Sequence, residues 1–279
     1  MLFSIITINY NNIEGLRQTC DSVLCQTSKD FEWIIVDGGS KDGSKEFIEE
    51  VAGSLKGTLM LTFWCSEPDK GIYNAMNKGI EHSQGDYLIF LNSGDMFYDK
   101  NVLDNINCIG ISSDIFIGEV VEKDNCNKLF NHYNPEEGIL LHLLRMSLAH
   151  QGTFFKRSLF QRFRYDETLS IVSDWKLFLE TLVFNNCTFG FTNHFVAIQD
   201  MKGISNINLE KGKTERALVL SELFPKLVLE NLYKYKTLYD STYVRNGIYL
   251  EKKCKWMYLF VRKMTSFFIK AHKKIRIKT

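Results

Sequence analysis

FEWIIVDGGSKDGS, residues 31–44, carries the reading of the fold. Phe31–Val36 is apolar on both faces apart from Glu32. A short run of that kind reads as a strand covered on both sides of a parallel sheet. It ends on Asp37, and the glycine-rich turn Gly38–Ser44 then leads into a helix around Lys45–Ala52. The same unit recurs on either side. Upstream, the strand Phe3–Ile8 is broken by Tyr10-Asn11-Asn12 and followed by a helix over Leu16–Gln26. Downstream come a strand over Thr58–Cys65 and a helix over Gly71–Glu81, with Ile72, Ala75, Met76 and Ile80 at helical spacing. A strand over Asp86–Leu91 follows, closing at Asn92-Ser93-Gly94-Asp95.

Alternating strands and helices predict an α/β fold with a mainly parallel central sheet flanked by helices. Ligands in such folds bind beyond the carboxyl ends of the strands. Polar residues gather at those ends: Asn9 and Tyr10, Asp37 to Ser40, and Asp95. The second half is less regular. A strand is expected over Ile115–Val121 and helices over Glu137–Arg145 and Ser173–Leu182. From about Leu218 the chain reads as helices.

Charge separates the body from the tail. Ten Lys or Arg and no acid lie between Lys252 and Lys278, leaving 24 basic against 33 acidic residues elsewhere. The expected partner of such a tail, interleaved with aromatics, is an anionic membrane surface; a solvated helix packed on the acidic body is the alternative. Nucleic acid is not an expected partner. The seven cysteines form no CxxC pair and are odd in number, which excludes a zinc pattern and a disulfide framework and fits a reducing compartment. MLFSIITINY lacks a basic leader, and no apolar run reaches about 18 residues. The expected location is therefore cytoplasmic, peripheral on the inner face of the plasma membrane.

Each candidate residue admits a structural reading beside a chemical one. Asp37 can accept hydrogen bonds from a base or ribose, or simply close a βα turn. The amides opening the helix in EPDKGIYNAMNKGI (Glu67–Ile80), with Lys70 or Lys78, can hold phosphate, or Asp69 can merely cap it. Asp95 in LNSGD can share a divalent ion with phosphate, or be a turn aspartate. Asp174 in SDWKLF can act on a substrate or cap free amides. His194 reads as structural.

Six segments taken in order, FSIITINYNN, FEWIIVDGGSKDGS, SEPDKGIYNAMNKGI, GDYLIFLNSGD, AHQGTFFKR and SDWKLF, resemble family-2 glycosyltransferases of GT-A fold. The resemblance is to the bacterial exopolysaccharide type, colanic acid enzymes included, and spans roughly residues 3–180. AIQDMKGISN (Ala197–Asn206) resembles the mobile loop near that family's active site. The resemblance implies a GT-A catalytic domain over 1–225, with a nucleotide-sugar half (1–115) and an acceptor half (116–225), and a basic helical extension over 226–279. It implies donor contacts from Tyr10, Asp37, Asp69, Gly71, Asn74, Ser93 and Gly94. Asp95 would hold a divalent cation, Mn or Mg, on the donor diphosphate. Asp174 would deprotonate the acceptor hydroxyl, and His150 would contact the acceptor. The implied reaction is inverting transfer from a nucleotide sugar, UDP-linked, to a saccharide or lipid-linked saccharide acceptor in surface polysaccharide synthesis.

Two positions depart from the family pattern. The first acid of the DxD motif is absent from Asn92-Ser93-Gly94-Asp95, and Met76 stands where many members carry Arg. A catalytically silent nucleotide- or carbohydrate-binding protein is the rival that the incomplete DxD supports. A nucleotidyltransferase is disfavoured because TINYNNIEG has no Lys or Arg, and a dehydrogenase because GxGxxG is missing.

Overall fold

The computed structural model describes residues 2–58, 60–123, 125–129, 138–201, 203 and 208–276, the side chains of 125–129 and 270–276 excepted. Glu137, Lys278 and four residues of the Ala197–Asn206 loop (202 and 204–206) lie outside the described residues. Two compact units divide between Val219 and Leu220.

In the first unit, β1 (Phe3–Asn9) and β2 (Phe31–Asp37) are buried along their whole length. They pair in parallel from Phe3 opposite Phe31 to Asn9 opposite Asp37. β3 (Leu61–Ser66) flanks β2, and β4 (Tyr87–Phe90) flanks β1, both parallel. The order β3-β2-β1-β4 leaves β1 and reverses to its other side. That creates a switch-point crevice where the loops after β1 and β4 diverge.

The helices cover this sheet. α1 (Ile13–Leu24) starts on Asn12, whose Oδ1 accepts from the Gly15 amide at 3.1 Å, and turns Leu16, Cys20 and Val23 inward. α2 is Ser44–Ser54. α3 (Ile72–His82) buries Tyr73, Ala75, Met76 and Ile80. It lies so close to β1 that a Cβ on Gly79 would stand 2.4 Å from Ile6 Cγ2. A larger residue there would push α3, and the loop that opens it, off the sheet.

The remaining strands are mixed, and most of them were not foreseen. They are β5 (Met96–Phe97), β6 (Ile115–Glu122), β7 (Asn125–Leu129), β8 (Thr153–Lys156) and β9 (Phe189–Gln199), with α4 (Val102–Ile109) and α5 (Ile139–Arg145) between them. β8 runs antiparallel to both β4 and β6, β9 runs parallel to β6, and β5 closes on β9. The expected helix over Ser173–Leu182 is α6 (Ser173–Phe178) continued by a π-helical turn, Leu179–Phe184. α7 (Leu209–Leu223) follows.

The second unit contains α8 (Lys226–Asp240), α9 (Thr242–Lys253) and α10 (Lys255–Arg276), with α9 packed on α10. No helix among the described residues is long and apolar enough to cross a membrane.

Candidate active site

A cavity of 1220 Å³ opens at the carboxyl ends of β1, β2 and β4. Seven expected site residues line it: Tyr10, Asp69, Gly71, Ser93, Asp95, His150 and Asp174. Asp37, Asn74 and Gly94 stand behind the wall.

Asp37 is 0% exposed. Its Oδ1 accepts from Asn9 Nδ2 (2.7 Å) and Ser40 Oγ (2.5 Å), and its Oδ2 from the Ser40 amide (3.0 Å) and Ser66 Oγ (2.6 Å). Burial works to raise its pKa, but these hydrogen bonds outweigh it and hold the carboxyl below its ordinary value. Asp37 thus fastens the tips of β1, β2 and β3, and can reach a ligand only by exchanging one of four bonds. The carboxylate facing the cavity beside it is Asp69. Its Oδ1 accepts from the Gly71 amide at 2.9 Å, and its Oδ2 lies where a Cβ on Gly38 would be 2.7 Å away. Tyr10, 67% exposed, borders the same bare backbone. Asn74 is turned elsewhere, its Nδ2 donating to Glu167 Oε2 at 2.9 Å.

Asp95 is 4% exposed and makes no ion pair among the described residues. Its Oδ1 accepts from the Asp200 amide (2.9 Å) and its Oδ2 from Gln151 Nε2 (3.1 Å). Burial pushes its pKa up to about 6, although nearby His150 and these hydrogen bonds work to lower it. Gly94, at φ +106°, turns the chain so that Asp200 packs against it. Asp200 Oδ2 is 3.5 Å from Lys123 Nζ. A buried carboxylate with free lone pairs and no ion pair among the described residues suits Mn²⁺ or Mg²⁺, which takes one or two carboxylates and completes its shell with phosphate oxygens. No cluster of three or more acid, His or Cys ligands occurs among the described residues.

Across the cavity a chain of polar side chains converges on Asp174. Its Oδ1 accepts from the Trp175 amide (2.8 Å) and from Tyr73 Oη (3.3 Å), while its Oδ2 faces His150 Nδ1 at 3.4 Å. His150 Nε2 meets Asn92 Nδ2 at 3.2 Å. With the imidazole proton assigned to Nδ1, His150 donates to Asp174 and its Nε2 accepts from Asn92, whose Oδ1 has no hydrogen-bond partner among the described residues. Burial, then the charge of Asp174, drives the Tyr73 phenol well above its usual pKa, so it stays a donor. Asp174, the second residue of α6, thus accepts from the next residue's amide and faces the cavity, while the helix itself has no side-chain cap.

Sequence reasoning passed over several members of the site. Tyr73, Asn92, Gln151 and Asp200 all fall inside the motif segments, beside residues that were singled out. Glu215 and Arg216 of α7 had no signal. The Glu215 carboxylate accepts from the amides of Ser170 (3.0 Å), Ile171 (2.9 Å) and Val172 (3.3 Å), fixing the loop that delivers Asp174.

A PGL/p-HBAD biosynthesis glycosyltransferase of Mycobacterium tuberculosis is 27% identical over 233 residues, covering 82% of this chain and 88% of that protein. A second glycosyltransferase of the same species is 42% identical over 101 residues, 36% of each chain. Among solved structures, S. aureus TarS 1–349 in complex with UDP superposes with a TM-score of 0.64 at 14% identity, covering 91% of this chain and 76% of that one. The mannosyltransferase PcManGT from Pyrobaculum calidifontis, in complex with GDP-Man and Mn²⁺, gives 0.53 at 16% identity, covering 71% and 56%. Those likenesses establish the GT-A fold. The model of glycosyl transferase family 2 matches residues 4–178, and the chain belongs to that family.

Proposed function

We propose that this glycosyltransferase moves a sugar from a nucleoside diphosphate, UDP foremost, to a saccharide acceptor by a metal-assisted inverting displacement. The observation that carries the reading is the placement of Asp69, Asp95 and Asp174 around one cavity at the switch point. TarS structures hold UDP or UDP-GlcNAc, and PcManGT holds GDP-Man with Mn²⁺, on the same fold.

In this reading the base lies against Tyr10, Gly38 and Asp69, over loops that Asp37 fastens, with Gly71 and Ser93 lining the slot and Asn74 and Gly94 supporting it from behind. Asp95 would hold the metal, which when bound neutralises charge on the departing diphosphate as a Lewis acid. Asp174 takes the proton of the acceptor hydroxyl. Tyr73 and the Trp175 amide hold Oδ1 of Asp174 and His150 steadies Oδ2, which keeps a lone pair for the proton of the acceptor hydroxyl. His150 also borders the acceptor. One base and one displacement invert the anomeric centre.

Surface polysaccharide assembly on a lipid-linked acceptor is the biological setting we infer, with the extension from residue 226 onward as the membrane-facing part. On α10, Trp256, Phe260, Met264 and Phe267 recur on one helical face, and Trp256, Phe260 and Phe267 are 60 to 70% exposed. Such a face flanked by lysines suits an anionic lipid surface. Removal of residues 252–279 is expected to abolish sedimentation with anionic vesicles; equal sedimentation of both forms would refute the membrane role.

A nucleotide-sugar panel screened by thermal shift with Mn²⁺ tests the central reading. The donor should raise the melting temperature, and acceptor should then trigger nucleoside diphosphate release. If no nucleotide sugar shifts the melt and none is consumed, the reading is wrong.

A further inference from the structure

α7 forms one wall of the cavity with Leu209, Gly212, Lys213 and Arg216, residues that share a face at helical spacing. Its position is fixed twice. Glu215 accepts the three amides ahead of α6, and Gly212 packs on Ile171, where an added Cβ would lie 3.4 Å from Cγ2. Arg216 thereby comes to rest with its guanidinium carbon 4.8 Å from the centre of the Trp175 ring. That ring is itself immobilised: Trp175 is 1% exposed and its Nε1 donates to the Leu143 carbonyl at 2.7 Å.

Stacking positions the guanidinium without using any of its N–H groups. Arg216 is half-buried, yet it makes no hydrogen bond or ion pair with any described residue. Asp174 is near enough to influence it electrostatically. The hydrogen-bonding contacts of Asp174, however, go to Tyr73, Trp175 and His150. Lys213 is mostly exposed and engaged by Glu210 at 2.6 Å. A preset planar fork with unused donors, directed into a cavity, matches the oxygens of a phosphate bidentately. At the position where the family resemblance implies Arg stands Met76, 0% exposed, and of the cations near α3, Lys78 is paired with Glu67 at 2.8 Å.

We propose that Arg216 binds a phosphate oxyanion in this cavity. Two sources share that chemistry: the diphosphate of the donor, and a phosphate on a lipid-linked acceptor. The assignment rests on the nucleotide-sugar reading above.

Calorimetric titration of the full chain in Mn²⁺ tests it, with UDP, GDP, dTDP and CDP each run beside its nucleoside. A second arm uses farnesyl phosphate against farnesol. R216Q should weaken the preferred nucleoside diphosphate by about tenfold or more, the scale of a lost charge-assisted hydrogen bond, and leave its nucleoside unaffected. R216K, a point charge without the fork, should recover only part of the loss. A loss confined to farnesyl phosphate would keep the phosphate site and assign it to the acceptor. Unchanged affinity in both arms overturns the proposal. So does a loss that extends to the nucleoside and farnesol, since that is what a structural role on Trp175 gives. If the wild-type chain binds no nucleoside diphosphate at all, the donor reading itself falls and this assignment goes with it.

Discussion

The two sides of the cavity are built by different means. On the side proposed for the donor, β1 and β2 are buried end to end, and their loops are fastened by a single carboxylate with four hydrogen bonds. On the side proposed for the acceptor, His150 sits on one 3₁₀ turn, His150–Gly152, and Asp174 near the start of a six-residue helix that passes into a π-helical turn. Its geometry comes from side chains reaching across from other elements: Tyr73 from α3, Asn92 from the loop after β4, Glu215 from α7. A frame made by the backbone is stable before ligand arrives, whereas one made by side chains is adjustable residue by residue. Substitutions on the donor side should therefore register in stability, and those on the acceptor side in turnover.

The sharpest test is Asp174→Asn. Asparagine keeps the size of aspartate and can still accept from the Trp175 amide, so melting should hardly move. Turnover should fall at least about a hundredfold, as for a lost general base, with nucleotide affinity nearly unchanged. A variant with normal turnover would remove Asp174 from the chemistry and pass the role of base to His150. Asp37→Ala should show the opposite pattern. It leaves the Ser40 amide, Ser66 and Asn9 without their buried acceptor, a cost of about 2–4 kcal/mol in urea unfolding. If the Asp37 variant unfolds like wild type, the donor side is not framed as described.

This contrast also explains what could be read from sequence. The parallel strands were legible because full burial on two faces demands an unbroken apolar run, as in FEWIIV and FSIITI. The loops at their ends were legible because they carry motif residues. β8 and β9 were not, since TFFK and FGFTNHFVAIQ carry no turn or alternation that sets them apart from buried helix or loop. The role of Asp37 was only half visible: the family resemblance implies a nucleotide contact, but its four hydrogen bonds come from three separate segments. Asp69 reads as a cap until folding brings its second oxygen over Gly38. Glu215 and Arg216 lie in a helix with no motif, and they enter the site only because that helix packs on the loop before Asp174.

Acid–base behaviour separates the two donor-side carboxylates further. Asp37 is held below its ordinary pKa, so its contribution is present above that value and is lost as pH falls through the folded one. Asp95 has the reverse sign. Its folded pKa of about 6 lies above the ordinary 3.8, so the folded state keeps a proton that the unfolded chain has released. Apo protein in EDTA should therefore lose stability as pH rises from about 4 through 6, by roughly 1–3 kcal/mol. Asp95→Asn should abolish that loss, being more stable than wild type at pH 8 yet unable to bind nucleotide with Mn²⁺. Matching urea curves for both proteins at pH 5 and pH 8 would show that Asp95 is not strained by burial.

The smallest expected effect tests the acceptor side's dependence on side chains. Glu215 presents two carboxylate oxygens to three amides, and Ile171 and Val172 share Oε2. Glutamine keeps one acceptor oxygen and replaces the other by a donor, so Glu215→Gln loses at least one charge-assisted bond and sets an N–H group against an amide N–H. A stability cost of about 1 kcal/mol follows, a melting shift of roughly 2–4 °C. The loop it holds leads directly to Asp174, two residues beyond Val172, so a small displacement there alters the aim of the base and not its chemistry. Turnover should drop several-fold with KM for the donor unaffected, and Glu215→Ala should drop it further. Equal turnover in all three proteins would mean that the loop is positioned by the packing of Gly212 and Ile171 alone. In that case the acceptor side too would be a backbone frame, and the distinction drawn between the two walls of the cavity would fail.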